Sequence, residues 1–99
     1  MILFVSDLHL SAQTPELNAL FLRFLGGRAR AAEALYILGD LFEYWVGDDD
    51  LDDPGHVAIV SALRELDTAG VAVSVMRGNR DFLLGEGFAA ASGARLLPA

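Results

Sequence analysis

ALYILGD, from Ala34 to Asp40, is the stretch that decides the fold. Five residues run without a charge or a breaker and are then stopped by Gly39 and a single carboxylate, Asp40. A short apolar run bounded in this way reads as a strand buried in a sheet. The same pattern stands on either side of it. Ile2 to Ser6 (ILFVS) is an earlier apolar run, followed by Asp7. Val71 to Val75 (VAVSV) is a later one, rich in β-branched residues. Between the strands the period changes. Thr14 offers a helix N-cap, with Pro15 in the first turn and Glu16 near the positive end of the dipole. Leu17, Leu20, Phe21, Phe24 and Leu25 then recur at three- and four-residue steps, the buried stripe of an amphipathic helix that Gly26 and Gly27 end or weaken. Arg28 to Ala32 can continue helical. His56 to Thr68 predicts a second helix with Ile59, Leu63 and Leu66 inward, closed by Gly70. Asp81 can cap a third, running to about Ser92 and closed by Gly93, and Arg95 to Leu97 begins a fourth strand.

Strand, helix, strand, helix, strand predicts an α/β fold built as a βαβαβ parallel sheet. Because the strands are continuously apolar rather than alternating, helices are expected on both faces. Residues 1–99 read as one domain, with no repeat, linker or low-complexity tract. The chain is 54% apolar, too much for disorder. Its net charge is −7 and all seven cations are arginine, so it repels phosphate backbones at long range and no nucleic-acid partner is expected. No cysteine is present, which excludes disulfides and thiolate metal sites. The opening apolar run lacks a basic flank, and no stretch approaches the roughly 20 apolar residues a membrane span needs. The expected compartment is the cytosol.

In parallel sheets ligands bind outside the carboxyl ends of the strands. Strand one is followed by Asp7-Leu8-His9, strand two by Gly39-Asp40, and strand three by Arg77-Gly78-Asn79-Arg80-Asp81. If the strands are adjacent, these three loops meet. Asp7 and His9, two apart, share a side in extended chain. Asp40 can bridge two cations, Asn79 offers a neutral amide oxygen, and Gly39 and Gly78 allow sharp turns. Carboxylate, imidazole and amide together suit Mn²⁺ better than calcium or structural zinc. Each piece alone has an ordinary reading as a turn or a cap. Their conjunction, in order after three parallel strands, points to a metal centre.

Asp7-x-His9, Gly39-Asp40-x-x-Glu43 and Gly78-Asn79-x-Asp81 resemble the first three motifs of the calcineurin-like metallophosphoesterases. More narrowly, SDLHL (Ser6 to Leu10), FLRFL (Phe21 to Leu25), YILGDLFEYWVGDD (Tyr36 to Asp49) and GNRDFLLG (Gly78 to Gly85) resemble one branch of that superfamily. Its members cleave the diphosphate of UDP-2,3-diacylglucosamine in lipid A synthesis. The resemblance implies the amino-terminal half of a phosphoesterase sandwich. It places Asp7 and His9 on a first metal, Asp40 bridging and Asn79 on a second, with Asn79 and Arg80 touching substrate. It implies two divalent ions, most readily Mn²⁺, and UDP-activated diacylated glucosamine as substrate. It also implies peripheral contact with the cytoplasmic face of the inner membrane, and no obligate protein partner. Further histidines and a helical cap that the family carries later are not among these 99 residues. The chain by itself is therefore expected to be inactive and to expose an edge and an apolar face of its sheet.

Arg80 carries chemical information of its own. Many relatives in the wider superfamily have a histidine there, which can protonate an alkoxide leaving group. Arginine, with a pKa above about 12, cannot, but its planar fork can grip phosphate through two parallel bonds. A diphosphate expels a phosphate monoester that needs no proton, so Arg80 as the catalytic residue favours diphosphate cleavage over an alkyl phosphodiester. The acidic run Asp48 to Asp53 fails the calcium-loop pattern, since Asp53 stands at its glycine position and Ile59 at its glutamate position. It reads as a solvated loop, with Asp48 and Asp49 as candidate outer-shell acceptors. His56 reads as a solvated residue opening its helix. Phe42, Tyr44, Trp45 and Phe82 lie beside the predicted site, where packing and contact with nucleobase or lipid explain them equally. Two rivals stand beside the diphosphatase: another phosphoesterase of this fold, such as a cyclic-nucleotide phosphodiesterase, and a metal-free scaffold. Intact Asp7, His9, Asp40 and Asn79 speak against the scaffold, since burying unused charge is costly.

Overall fold

The computed structural model describes residues 1–6, 8–11, 13–42, 54–77 and 85–97. Their elements run β1 (Ile2–Val5), α1 (Pro15–Gly26), a 3₁₀ turn (Arg28–Ala31), β2 (Ala34–Leu38), α2 (Pro54–Thr68), β3 (Ala72–Met76), α3 (Glu86–Ser92) and β4 (Arg95–Leu97). The strands form one parallel sheet in the order β1-β2-β3-β4. Every strand expected from the apolar runs is present, β3 displaced by one residue from Val71–Val75. The Asp81 cap lies outside the described residues, and α3 begins at Glu86 after an extended Gly85.

A strand order that follows chain order has a consequence for the helices. Each crossover steps to the next strand in the same direction, and crossovers of one hand then put their helices on one side. Accordingly α1 packs on α2, and α2 on α3. Phe21 and Leu25 of α1, Ile59, Leu63 and Leu66 of α2, and Phe88 of α3 are buried against Leu35, Ile37, Val73 and Val75 of the sheet. Burying a side chain of this size contributes about 1.5–3 kcal/mol. The expectation of helices on both faces is corrected accordingly: the described helices cover one. On the other face Phe4 stacks on its register neighbour Tyr36, with ring centroids 5.2 Å apart, and Phe4 is 62% exposed. Ile2 and Leu38 are exposed beside them, so the apolar face expected from the sequence is present.

Two smaller departures have local causes. Leu20, placed in the buried stripe, is 55% exposed, because only Phe21 and Leu25 of α1 point fully at the core, with Leu17 and Phe24 half-buried beside them. Thr14 stands at the N-cap of α1, yet its hydroxyl makes no cap bond. It instead accepts the Ser11 N–H at 3.1 Å, while Asn18 Nδ2 donates to the Ser11 carbonyl at 2.8 Å. The start of α1 is thereby tied to the loop that follows β1. At the other end of the domain Gly93 closes α3 at φ 75, donating to Ala89 O at 2.9 Å.

Candidate metal centre at the carboxyl edge of the sheet

Parallel register aligns the strand ends. Val5 pairs with Ile37 and Ile37 with Val75, while Leu38 pairs with Met76. The chain therefore leaves β1, β2 and β3 from one edge, where the sequence places its three polar clusters. Beyond β1 run Leu8, His9 and Leu10; beyond β2 run Gly39, Asp40, Leu41 and Phe42; Arg77, exposed, opens the loop beyond β3.

The first two loops are joined. The His9 N–H donates to Asp40 O at 2.9 Å and the Leu10 N–H to Leu41 O at 2.9 Å. Leu10 and Phe42 form a parallel bridge, so pairing between the two segments resumes beyond the strands themselves. The break between strand and bridge is made by backbone in the left-handed region: Gly39 at φ 97, Asp40 at φ 51 and His9 at φ 50. That region costs an L-residue about 1–2 kcal/mol. Asp and His are among the types that tolerate it best. Two strained non-glycine residues bonded to each other need a surrounding structure that holds them, a pattern that clusters at functional sites.

That surrounding structure is apolar. Leu10, Leu41 and Phe42 are buried beneath the half-buried His9 and Asp40. The Phe42 ring meets the His56 imidazole at a centroid distance of 4.5 Å and an interplanar angle of 56°. It meets Phe88 edge-on at 6.2 Å. His56 is thus not the solvated residue expected at a helix start: it is 7% exposed, because the first turn of α2 lies against Phe42.

Of the expected site residues, the structure brings His9 and Asp40 together. Asp7, Asn79 and Arg80 lie outside the described residues, as do Glu43, Tyr44, Trp45, Asp48 to Asp53, Gly78, Asp81 and Phe82. Among the described residues no group of three or more histidine, aspartate or glutamate side chains is placed to hold a metal ion. One premise changes: sharing a side by extended-chain alternation does not apply at His9, whose backbone is left-handed. His9 and Asp40 offer an imidazole and a carboxylate, donor types that divalent ions accept, on two loops tied to each other. Sequence reasoning set Phe42 beside the site, with packing as one of two explanations, and missed Leu10 and His56 in the supporting layer. A signal for part of it existed, because both described ligand candidates are followed at once by leucine, Leu10 after His9 and Leu41 after Asp40. Chain that turned outward at the polar residue would not need those apolar side chains.

Known proteins match nearly the whole chain. The chain is 57% identical over 97 residues to a protein of Pseudomonas fluorescens named UDP-2,3-diacylglucosamine hydrolase, covering 98% of this chain and 38% of that protein. It is 55% identical over 96 residues to one of the same name from Escherichia coli O81, covering 97% of this chain and 40% of that protein. A protein of that name from Serratia proteamaculans is 58% identical over 96 residues, again 97% of this chain and 40% of the relative. No protein-family profile matches. The chain is homologous to the amino-terminal part of these proteins, and spans between 38% and 40% of their length.

Proposed function

We propose that this chain is the amino-terminal segment of a UDP-2,3-diacylglucosamine hydrolase, an enzyme that cleaves the substrate's diphosphate to UMP and 2,3-diacylglucosamine 1-phosphate in lipid A biosynthesis. The observation that carries the reading is identity of 54–58% over 96 or 97 residues, nearly the whole chain, with proteins of that name. The bonded pair of left-handed residues, His9 and Asp40, supports it independently at the level of the site.

In this reading His9 and Asp40, with Asp7 and Asn79, hold two divalent ions, most readily Mn²⁺. When bound, such a pair supplies Lewis-acid activation of water and neutralises phosphoryl charge. The chain's own contribution is to have the loops ordered beforehand. The backbone bonds from His9 and Leu10 fix two donor loops against each other, so little further ordering is left for binding. Arg80 grips the diphosphate through its fork, and the amide of Asn79 contacts the same group. With water attacking the phosphorus next to uridine, the leaving 2,3-diacylglucosamine 1-phosphate is a phosphate monoester and departs without a proton, so a residue that cannot act as an acid suffices at position 80. Four donors are too few to fill two coordination spheres, and the segment alone is therefore proposed to be inactive. No helix among the described residues is long and apolar enough to cross a membrane. Contact with the inner membrane is proposed as peripheral, through the acyl chains of the substrate.

The test is an assay of the longer protein that carries this segment, given UDP-2,3-diacylglucosamine and Mn²⁺, with UMP followed by chromatography. UMP release that stops with EDTA and returns with Mn²⁺ is the expected result. Absence of UMP, or faster turnover of a cyclic nucleotide than of the UDP-linked lipid, would reject the reading.

A further inference from the structure

The layer beneath His9 and Asp40 has a mechanical order. At its base is α2, whose Ile59, Leu63 and Leu66 are fully buried against the sheet. A helix fastened along its length in this way is a fixed reference. His56 lies in the first turn of that helix and is 7% exposed. Its ring rests on Phe42 at 4.5 Å, nearer than the edge-on contact of Phe88 at 6.2 Å. Phe42 is itself fully buried, and its backbone pairs with Leu10. Next to that bridge come the two bonds that join the loops, Leu10 to Leu41 and His9 to Asp40. Contact is therefore continuous from a rigid helix, through one imidazole and one phenyl ring, to the strained pair.

We propose that His56 is a positioning residue for the candidate metal centre, its ring holding Phe42 so that the His9 and Asp40 loops stay paired. This rests on the reading of His9 and Asp40 as metal ligands. The left-handed backbone makes the support necessary. Two strained residues relax by swinging apart unless packing opposes it, and fully buried Phe42 is part of that packing, with Leu10 and Leu41. Outer-shell partners hydrogen-bonded to a metal ligand typically change metal affinity about 10- to 100-fold when mutated, and His56, which acts through Phe42, is placed at the lower end of that range. The ring is the operative part, so a phenyl at position 56 serves where a methyl does not.

The experiment uses the longer protein with His56→Ala, His56→Phe and, as a control on the exposed side of the same helix, Val57→Ala. Two quantities are read: backbone amide exchange without metal, and affinity for Mn²⁺ alone by titration. His56→Ala is expected to speed exchange of the His9 and Leu10 amides at least about tenfold, leaving the Ile37 and Val75 amides unchanged. It is expected to weaken Mn²⁺ binding about tenfold. His56→Phe restores both, and Val57→Ala changes neither. His9 and Leu10 amides as protected in His56→Ala as in the unaltered protein would overturn the proposal. So would uniform acceleration of every strand amide, which would mean only that His56 stabilises the whole domain. A His56→Phe protein that behaves like His56→Ala would remove the ring as the operative part. Failure of the unaltered protein to bind Mn²⁺ would instead overturn the metal reading beneath it, a result the metal-free exchange data would separate from failure of the support.

Discussion

His9 donates its backbone N–H to the carbonyl oxygen of Asp40 at 2.9 Å, and the two residues hold φ 50 and φ 51. Backbone strain and a backbone bond at the same point are coupled. The bond helps keep both residues left-handed, and the left-handed turns bring the bond partners together. Strain at two neighbouring positions costs a small domain a real share of the 5–15 kcal/mol that typically separates folded from unfolded states. That cost has to be offset by the surrounding structure, of which buried Leu10, Leu41 and Phe42 are part.

Substitution at Asp40 separates strain from chemistry. Asp40→Asn keeps a side chain that tolerates left-handed backbone, whereas Asp40→Val places a β-branched residue there. The valine variant should be less stable than the asparagine variant by about 1–2 kcal/mol, measured by denaturant unfolding without metal. Equal stabilities would mean that position 40 is not left-handed in solution.

Gly93 offers an independent check on the fold. It closes α3 at φ 75, and a Cβ built there would lie 2.7 Å from Asp67 Oδ2 and 3.0 Å from Asp67 Cβ. Gly93→Ala should cost about 1–2 kcal/mol from conformation, plus the cost of displacing Asp67. Adding Asp67→Ala removes the Oδ2 and Cγ contacts but keeps the Cβ at 3.0 Å, and should recover at most the second part. Full recovery in the double variant would place the whole effect in the contact.

Burial on α1 and α2 gives opposite expectations for two leucines. Leu63 is fully buried, and Leu63→Ala should destabilise by about 2–5 kcal/mol. Leu20 is 55% exposed, and Leu20→Ala should stay within about 0.5 kcal/mol of the parent. Thermal or urea unfolding of the two variants side by side decides the matter, and a large loss at Leu20 would return it to the buried stripe.

Arg80 bears the chemical part of the proposal. In the longer protein Arg80→Lys should lower kcat/KM for UDP-2,3-diacylglucosamine by at least about tenfold, because a point charge replaces a two-bond fork. Steady-state kinetics of the purified variant would show it. An unchanged rate would remove the argument from leaving-group chemistry.

Much of this was legible in the sequence, and the remainder has physical reasons for being hidden. The strands could be read because β1 and β2 are uninterrupted apolar runs and β3 is broken only by Ser74, and the edge proposed to carry the chemistry followed from their being parallel. Ile59, Leu63 and Leu66 were legible because helical period alone put them on one face. The side on which the helices lie was not, because it depends on strand order, which local pattern does not encode. Leu20 was misplaced because a five-residue stripe is wider than the contact α1 makes. His56 was misread for a related reason: polarity at a helix start usually means solvent, and only the tertiary contact with Phe42 reverses that. The left-handed backbone at His9 and Asp40 was invisible, since neither is glycine, although Gly39 beside Asp40 marked a turn.

In the proposed function, the loops after β1 and β2 present their donors to a common ion at one edge of the sheet. Paramagnetic broadening by Mn²⁺ tests it most directly, in the longer protein with its amide resonances assigned. Sub-stoichiometric Mn²⁺ should broaden the amides of His9, Leu10, Asp40 and Leu41 most strongly. The effect should fade along the strands toward Ile2, Ala34 and Ala72, and vanish from this edge in the His9→Ala, Asp40→Ala double variant. Broadening centred elsewhere, or unaltered by the double variant, would mean that these loops do not share an ion.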